Sequence, residues 1–241
     1  MMASPSNAEE QAKIDFVINN VLGTLYHELG HAFIDVFELP VLGQEEDAAD
    51  VLSSVLIEEF YQEEATSMLA QDIALGFQIS AQEFANNGEQ PAFWDVHGPD
   101  EQRAFNQICL HYGADPENRK AFADLMNLPD DRRESCPFEY EKASQSWLGM
   151  LDTYLPESED KSEWISYTPF GAGQSDLIQA VDLSLVEEAE FLRNYGTADI
   201  SIDLKLESCG EENAFYDPSD RSITICTEIV ELYYQQAGSL N

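Results

Sequence analysis

The chain has 241 residues, 47 acidic against 11 basic, for a formal net charge of −36, and 44% of it is hydrophobic, enough for a real core. That surplus of negative charge repels phosphate backbones and anionic membrane surfaces, which argues against a nucleic-acid partner. The most apolar stretch, residues 65–82, is broken by Asp72 and falls short of the ~18 uninterrupted apolar residues of a membrane span, so no membrane insertion is expected.

From Ala8 to about Phe37 the apolar residues Ile14, Val17, Ile18, Val21, Leu22, Leu25, Leu29, Ala32, Phe33 and Val36 recur every three or four positions, which predicts one long helix. Asn7 can cap it, Glu9 and Glu10 suit its first turn, and Leu39-Pro40 stops it. A second long helix is expected from about Glu45 to Asn86, bent near Gly76 and ended by "NNGEQP". Three shorter helices follow, about Asp100 to Tyr112, Glu117 to Met126 and Phe138 to Tyr154.

After Leu155 the character changes. "PESEDKSEW" reads as a linker or exposed loop and "YTPFGAGQS" as irregular. A helix from about Ser184 to Asn194 leads into "ADISIDLKLES", where Ile200, Ile202, Leu204 and Leu206 alternate with polar residues as in a half-buried strand. Two short strands, "NAFYD" and "RSITIC", flank a "DPSD" turn, and a last helix runs from about Thr227 to Gln236. The pattern predicts a single α+β domain over 1–241, mostly helical, with one small antiparallel sheet. Residues 1–155 form its helical part and 156–241 its linker, helix and hairpin part.

The four cysteines form no CxxC pair, which argues against a structural zinc site. Cys209 and Cys226 bracket the hairpin and could staple it, and Cys109 could meet Cys136 across a short helical turn; the alternative is four reduced, buried thiols. The start "MMASPSNAEE" has neither a basic region nor an apolar one, so no signal peptide is read in this chain. Its charge, screened by salt, suits an exported protein or a saline setting.

Chemistry concentrates in "YHELGHAF", residues 26 to 33. His27 and His31 are four apart, so both imidazoles leave one helical face and can hold one metal ion, with Glu28 next to the first. In zinc hydrolases a metal so held acidifies its water and the glutamate takes the proton. A third protein ligand is required. The metzincin extension would need Gly at 34 and His at 37, and the chain has Ile34 and Phe37. Downstream, "EEDAAD" offers Glu46 and Asp50 four apart, so that one can ligate while the other holds a ligand histidine. The short Pro-containing turn makes the two helices antiparallel neighbours, and Ala48 and Ala49 keep their contact close.

These residues, with "WDVHGPDEQRAFNQICLHYGADP", "CPFEYEKASQSW" and "CGEENAFYDPSDRSITIC", resemble a bacterial family of zinc metallopeptidases classified as a domain of unknown function, its activity inferred from its motif. The HExxH and ExxAD pair is also similar to the wider gluzincin arrangement. The resemblance implies His27, His31 and Glu46 as ligands to Zn2+, Glu28 as general base, Asp50 as support, and a peptide or protein substrate. In that family the "CG..NAFYDP..R.I..C" segment precedes the HExxH helix, whereas here it ends the chain, so the order reads as circularly permuted. The seam would then be "LPESEDKSEW", and the native context an exported one, periplasmic or extracellular.

His97 and Tyr112 are further candidates, each able to stabilise an oxyanion. The competing role for His97 is to tie a loop together with Arg103 while Asp100 caps the next helix. His111 reads as structural, and the pairs Glu58-Glu59 and Glu63-Glu64 as a solvated acidic face. The strand edge "NAFYD" or "ISIDLKL" could receive an extended peptide. A catalytically inactive, metal-containing binding module is the alternative to a working peptidase.

Overall fold

In the computed structural model, which describes residues 7–152, 154, 163–171, 173–195 and 200–240, the first apolar period forms one helix, α1, over Asn7–Val36. It closes at the expected place. Phe37 N–H donates to Phe33 O at 3.1 Å, Glu38 takes a left-handed φ of 51°, and Leu39 N–H donates back to Ile34 O at 2.9 Å. That closure satisfies carbonyls the helix end would otherwise leave bare.

The second expected helix is two helices, α2 over Glu45–Phe60 and α3 over Glu63–Asn86. The break falls at Tyr61 and Gln62, both with extended backbone, and not near Gly76, which is buried inside α3. Its causes are tertiary. Tyr61 packs edge-on to Tyr26 at 5.9 Å, and the Arg119 guanidinium binds Glu58 before the break and Glu63 after it. Four more helices follow: α4 (Asp100–Ala114), α5 (Lys120–Leu125), the unforeseen α6 (Asp130–Arg133) and α7 (Cys136–Leu151). The disulfide Cys109–Cys136 ties α4 to α7. Beside it Gly113 lets the two backbones touch, because a Cβ there would lie 2.2 Å from the Cys136 carbonyl oxygen.

The remaining elements are β1 (Ile165–Tyr167), α8 (Asp176–Leu192), β2 (Ile202–Glu207), β3 (Ala214–Asp217), β4 (Ser222–Cys226) and α9 (Thr227–Ala237). Helix α8 begins two turns earlier than its periodicity suggests, with Ser175 Oγ accepting the Ile178 N–H. The strands form one sheet in the order β1-β2-β4-β3. It is mixed, where an antiparallel one was expected: β1 and β2 are parallel, β2 and β4 are parallel, and only β3 and β4 are antiparallel. The helix α8 carries the chain back from β1 to β2 in the same direction, as crossovers do. The loop after β2 then crosses the end of β4, so the hairpin docks through its second strand. The disulfide Cys209–Cys226 fixes that crossing, and Glu228 Oε1 accepts the Gly210 N–H at 2.8 Å.

These elements divide into two compact units, one of Tyr26–Pro156 and one of Met1–Leu25 with Glu157–Asn241. Helix α1 runs from one into the other. Most of the expected seam "LPESEDKSEW", residues 155–162, lies outside the described residues. Among the described residues no helix is long and apolar enough to cross a membrane.

Candidate metal centre

The site lies wholly within the Tyr26–Pro156 unit, on the facing sides of α1 and α2. His31 meets Glu45 and Glu46, while His27, one turn earlier, meets Asp50 further along α2, so the helices run antiparallel. Their closeness depends on Gly30, the residue between Leu29 and His31. A Cβ at 30 would sit 3.0 Å from the Ala49 Cα and 3.2 Å from its carbonyl oxygen, so α2 packs on α1 backbone to backbone at this point. Ala49 is buried in that contact.

Three donor atoms converge. The Nε2 atoms of His27 and His31 are 3.3 Å apart, and each lies 3.2 Å from Glu46 Oε2. An ion held tetrahedrally at ~2.0 Å from nitrogen and oxygen donors separates them by about 3.3 Å, so the triangle has the dimensions of one face of such a site. The donor chemistry fits as well: two imidazoles and a carboxylate suit a borderline divalent metal and leave a position open.

The ligand-like orientation of His27 is enforced from behind. Its Nδ1 donates to Asp50 Oδ1 at 2.8 Å, which leaves Nε2 to face the triangle, and Asp50 is gripped by Arg103 through Nε at 2.7 Å and a terminal nitrogen at 2.8 Å. Arg103 in turn stacks over Phe77 at 4.3 Å. His31 Nδ1 lies 2.8 Å from Glu45 Oε1. Burial opposes charge on His27, but its hydrogen bonds to Asp50 and Glu46 and the nearby charges of Asp50 and Glu28 outweigh this and push the imidazole up to about 9. Glu46 is held far below the usual carboxylate range by its hydrogen bonds to His27, His31 and His97. Desolvation would raise Asp50, yet Arg103 and His27 hold it well down.

The structure brings together His27, Glu28, His31, Glu46, Asp50 and His97. Glu28 is buried beside His27, and His97 Nε2 reaches Glu46 Oε2 at 2.9 Å with its side chain 46% exposed. Tyr112 is not gathered there. It sits nine residues beyond Arg103 on α4, some 13 Å along the axis, in a core cluster with Ile108, Cys109 and Met126. The acidic pairs on α2 and α3 are not simply a solvated face either. The Glu58 side chain is only 7% exposed and meets Arg119 twice and His111 once within hydrogen-bond distance, although Glu63 stays largely exposed. Sequence reasoning gave Arg103 only a loop-tying role. Its true partner is 53 positions away, and only the expectation that a supporting aspartate needs a cation could have pointed to it. Both expected disulfides are present, and no free cysteine is found among the described residues.

A helical scaffold presenting two histidines at i,i+4 against a carboxylate of the next helix is the frame of a metal-dependent hydrolase. The chain belongs to the family described as "Putative metallopeptidase", whose model matches residues 1–151. That membership implies a metal and a peptide substrate. No curated protein and no solved structure matches the chain.

Proposed function

We propose that the protein is a zinc-dependent peptidase in which His27, His31 and Glu46 hold the metal and Glu28 is the general base. The observation that carries this reading is the triangle of donors with 3.2–3.3 Å edges, braced by Asp50 and Arg103. Zinc in such a site supplies a Lewis acid and brings the pKa of water toward neutrality. Asp50 keeps the His27 proton on Nδ1, so that Nε2 offers its lone pair, and Arg103 keeps Asp50 ionised. Glu28, buried beside a ligand histidine, accepts a proton from the attacking water and passes it to the leaving amine. His97, half-exposed and reaching Glu46, donates from Nε2 to the oxyanion of the scissile carbonyl. The two disulfides suit an oxidising, exported setting. A permuted chain order belongs to the same reading: the family model matches residues 1–151, and the "CG..NAFYDP..R.I..C" segment lies outside that match.

The test combines metal analysis with one substitution. About one equivalent of zinc should co-purify, and the protein should cleave an unstructured protein substrate. Glu28→Gln should keep the metal and lose cleavage by ~10³-fold or more. Less than a tenth of an equivalent of any divalent metal would remove the metal reading, and equal cleavage by both proteins would remove Glu28. Bound metal with no cleavage by either would leave a binding module.

A further inference from the structure

His97 belongs to two places at once. Its Nε2 touches Glu46, and the residue also lines a cavity of about 400 Å³ within the same unit, a size suited to one long side chain with water around it. The walls are apolar: Ala81, Phe84 and Ala85 from α3, and Pro91, Ala92 and Pro99 from the segment between α3 and α4. Set into them are four carboxylates, Glu89, Asp95, Asp100 and Glu101, and no lysine or arginine lines the cavity. The Arg103 guanidinium is bound to Asp50 at 2.7 Å and stands 3.9 Å from Asp100. On the same segment Phe93 and Trp94 stand 82% and 86% exposed, an apolar shoulder of the kind surfaces keep where something binds.

We infer that this cavity is the side-chain subsite beside the metal centre and that it takes a long cationic side chain, arginine or lysine, of the peptide substrate. The inference rests on the peptidase reading above. An aliphatic stem lies along Phe84 and the prolines, and its charged end meets the carboxylates, the division of labour that long basic side chains allow. A purely apolar side chain would strip water from those carboxylates and return nothing, and an acidic one would be repelled. Asp100 and Glu101 also stand in the first turn of α4, where the helix dipole favours them. Asp100 nevertheless pays for its partial burial with a carboxyl raised above the usual range, against the pull of Arg103 and His97, and a cation in the cavity reverses that.

The test uses N-acetyl-arginine amide and its neutral isostere N-acetyl-citrulline amide, titrated into the metal-loaded protein and followed by the His97 imidazole NMR signals. Salt of about 0.5 M screens the general attraction of a chain this acidic for any cation. Arginine should bind about tenfold tighter than citrulline, and Asp100→Asn and Glu101→Gln should each shrink that ratio toward one. Equal binding of the two probes, or a ratio untouched by both substitutions, overturns the inference. Peptides carrying arginine, citrulline or norleucine at one position separate this subsite from the reading it rests on. Cleavage with no preference for arginine sinks the subsite and leaves the peptidase standing. Selective binding that Asp100→Asn abolishes, with no cleavage of any peptide, keeps the subsite and sinks the peptidase.

Discussion

Two arginine–carboxylate–histidine chains lie along α2, one built on Asp50 and the other on Glu58, and they are made of the same three kinds of group. In each, a guanidinium grips the carboxylate and the carboxylate lies within hydrogen-bond distance of a histidine Nδ1, Arg103–Asp50–His27 in one and Arg119–Glu58–His111 in the other, where Arg119 also lies 3.0 Å from that Nδ1. His111 is then closed off. Its Nε2 lies 3.1 Å from Ser67 Oγ, Arg119 donates to its carbonyl at 2.6 Å, and the side chain is 2% exposed. His27 has no such private partner for Nε2, which shares one small space with His31 Nε2 and Glu46 Oε2. A braced histidine is thus a structural device by default. It is placed to serve the proposed metal site where a second histidine and a carboxylate aim at the same point.

The comparison can be broken at either end. The largest effect is expected from Arg119→Ala, which leaves Glu58 and His111 buried without their cation and should cost about 3–5 kcal/mol by denaturant unfolding, with the stoichiometry of bound metal unchanged. If stability holds, the second chain is not the buried network described. Acidity comes next. Metal binding must displace the proton that His27 holds up to about 9, so affinity should weaken by up to about tenfold for each pH unit below that value, measured in a competing chelator. The sign is opposite for the chelated protein. A histidine raised from 6.5 stabilises the fold fully below pH 6.5 and loses that contribution as pH rises through about 9, so Tm should fall across this window. A flat profile in both measurements would break the coupling between His27 and its carboxylates.

Asp50→Asn is expected to weaken metal binding about 10–100-fold, since it removes the charge that fixes His27, while Ser67→Ala behind His111 should leave metal affinity alone. Equal effects would erase the distinction between the two chains. The smallest change is Gly30→Ala. One methyl group against the Ala49 backbone should cost about 1 kcal/mol or more and loosen the triangle, read as lower Tm and weaker metal binding together.

The parts legible in sequence were those set by spacing within one element. Two histidines at i,i+4, and Glu46 and Asp50 at i,i+4 after a short turn, need only helical geometry to be placed on facing sides, and the alternation of Ile202, Leu204 and Leu206 needs only the pleat. What stayed hidden depends on partners far along the chain. The apolar period runs smoothly past Tyr61, and the contacts that flank the break come from Arg119 and Tyr26, far away in sequence. Strand β1 is three residues long, too short for any periodicity, and its pairing with β2 is parallel because α8 carries the chain between them. Tyr112 carries a hydroxyl that suits chemistry, but its place on α4 is decided by the disulfide-linked core.

The boundary between the two units falls inside α1, at Tyr26, one residue before His27. A fragment cut there would open on the proposed metal motif, with His27 and Glu28 in a first turn whose leading N–H groups lack acceptors and which frays soonest. Excising the site-bearing unit alone would therefore cost it the preceding turns that keep those two side chains in register. For this protein the smallest compact piece leaves out the turns of α1 on which the proposed site leans.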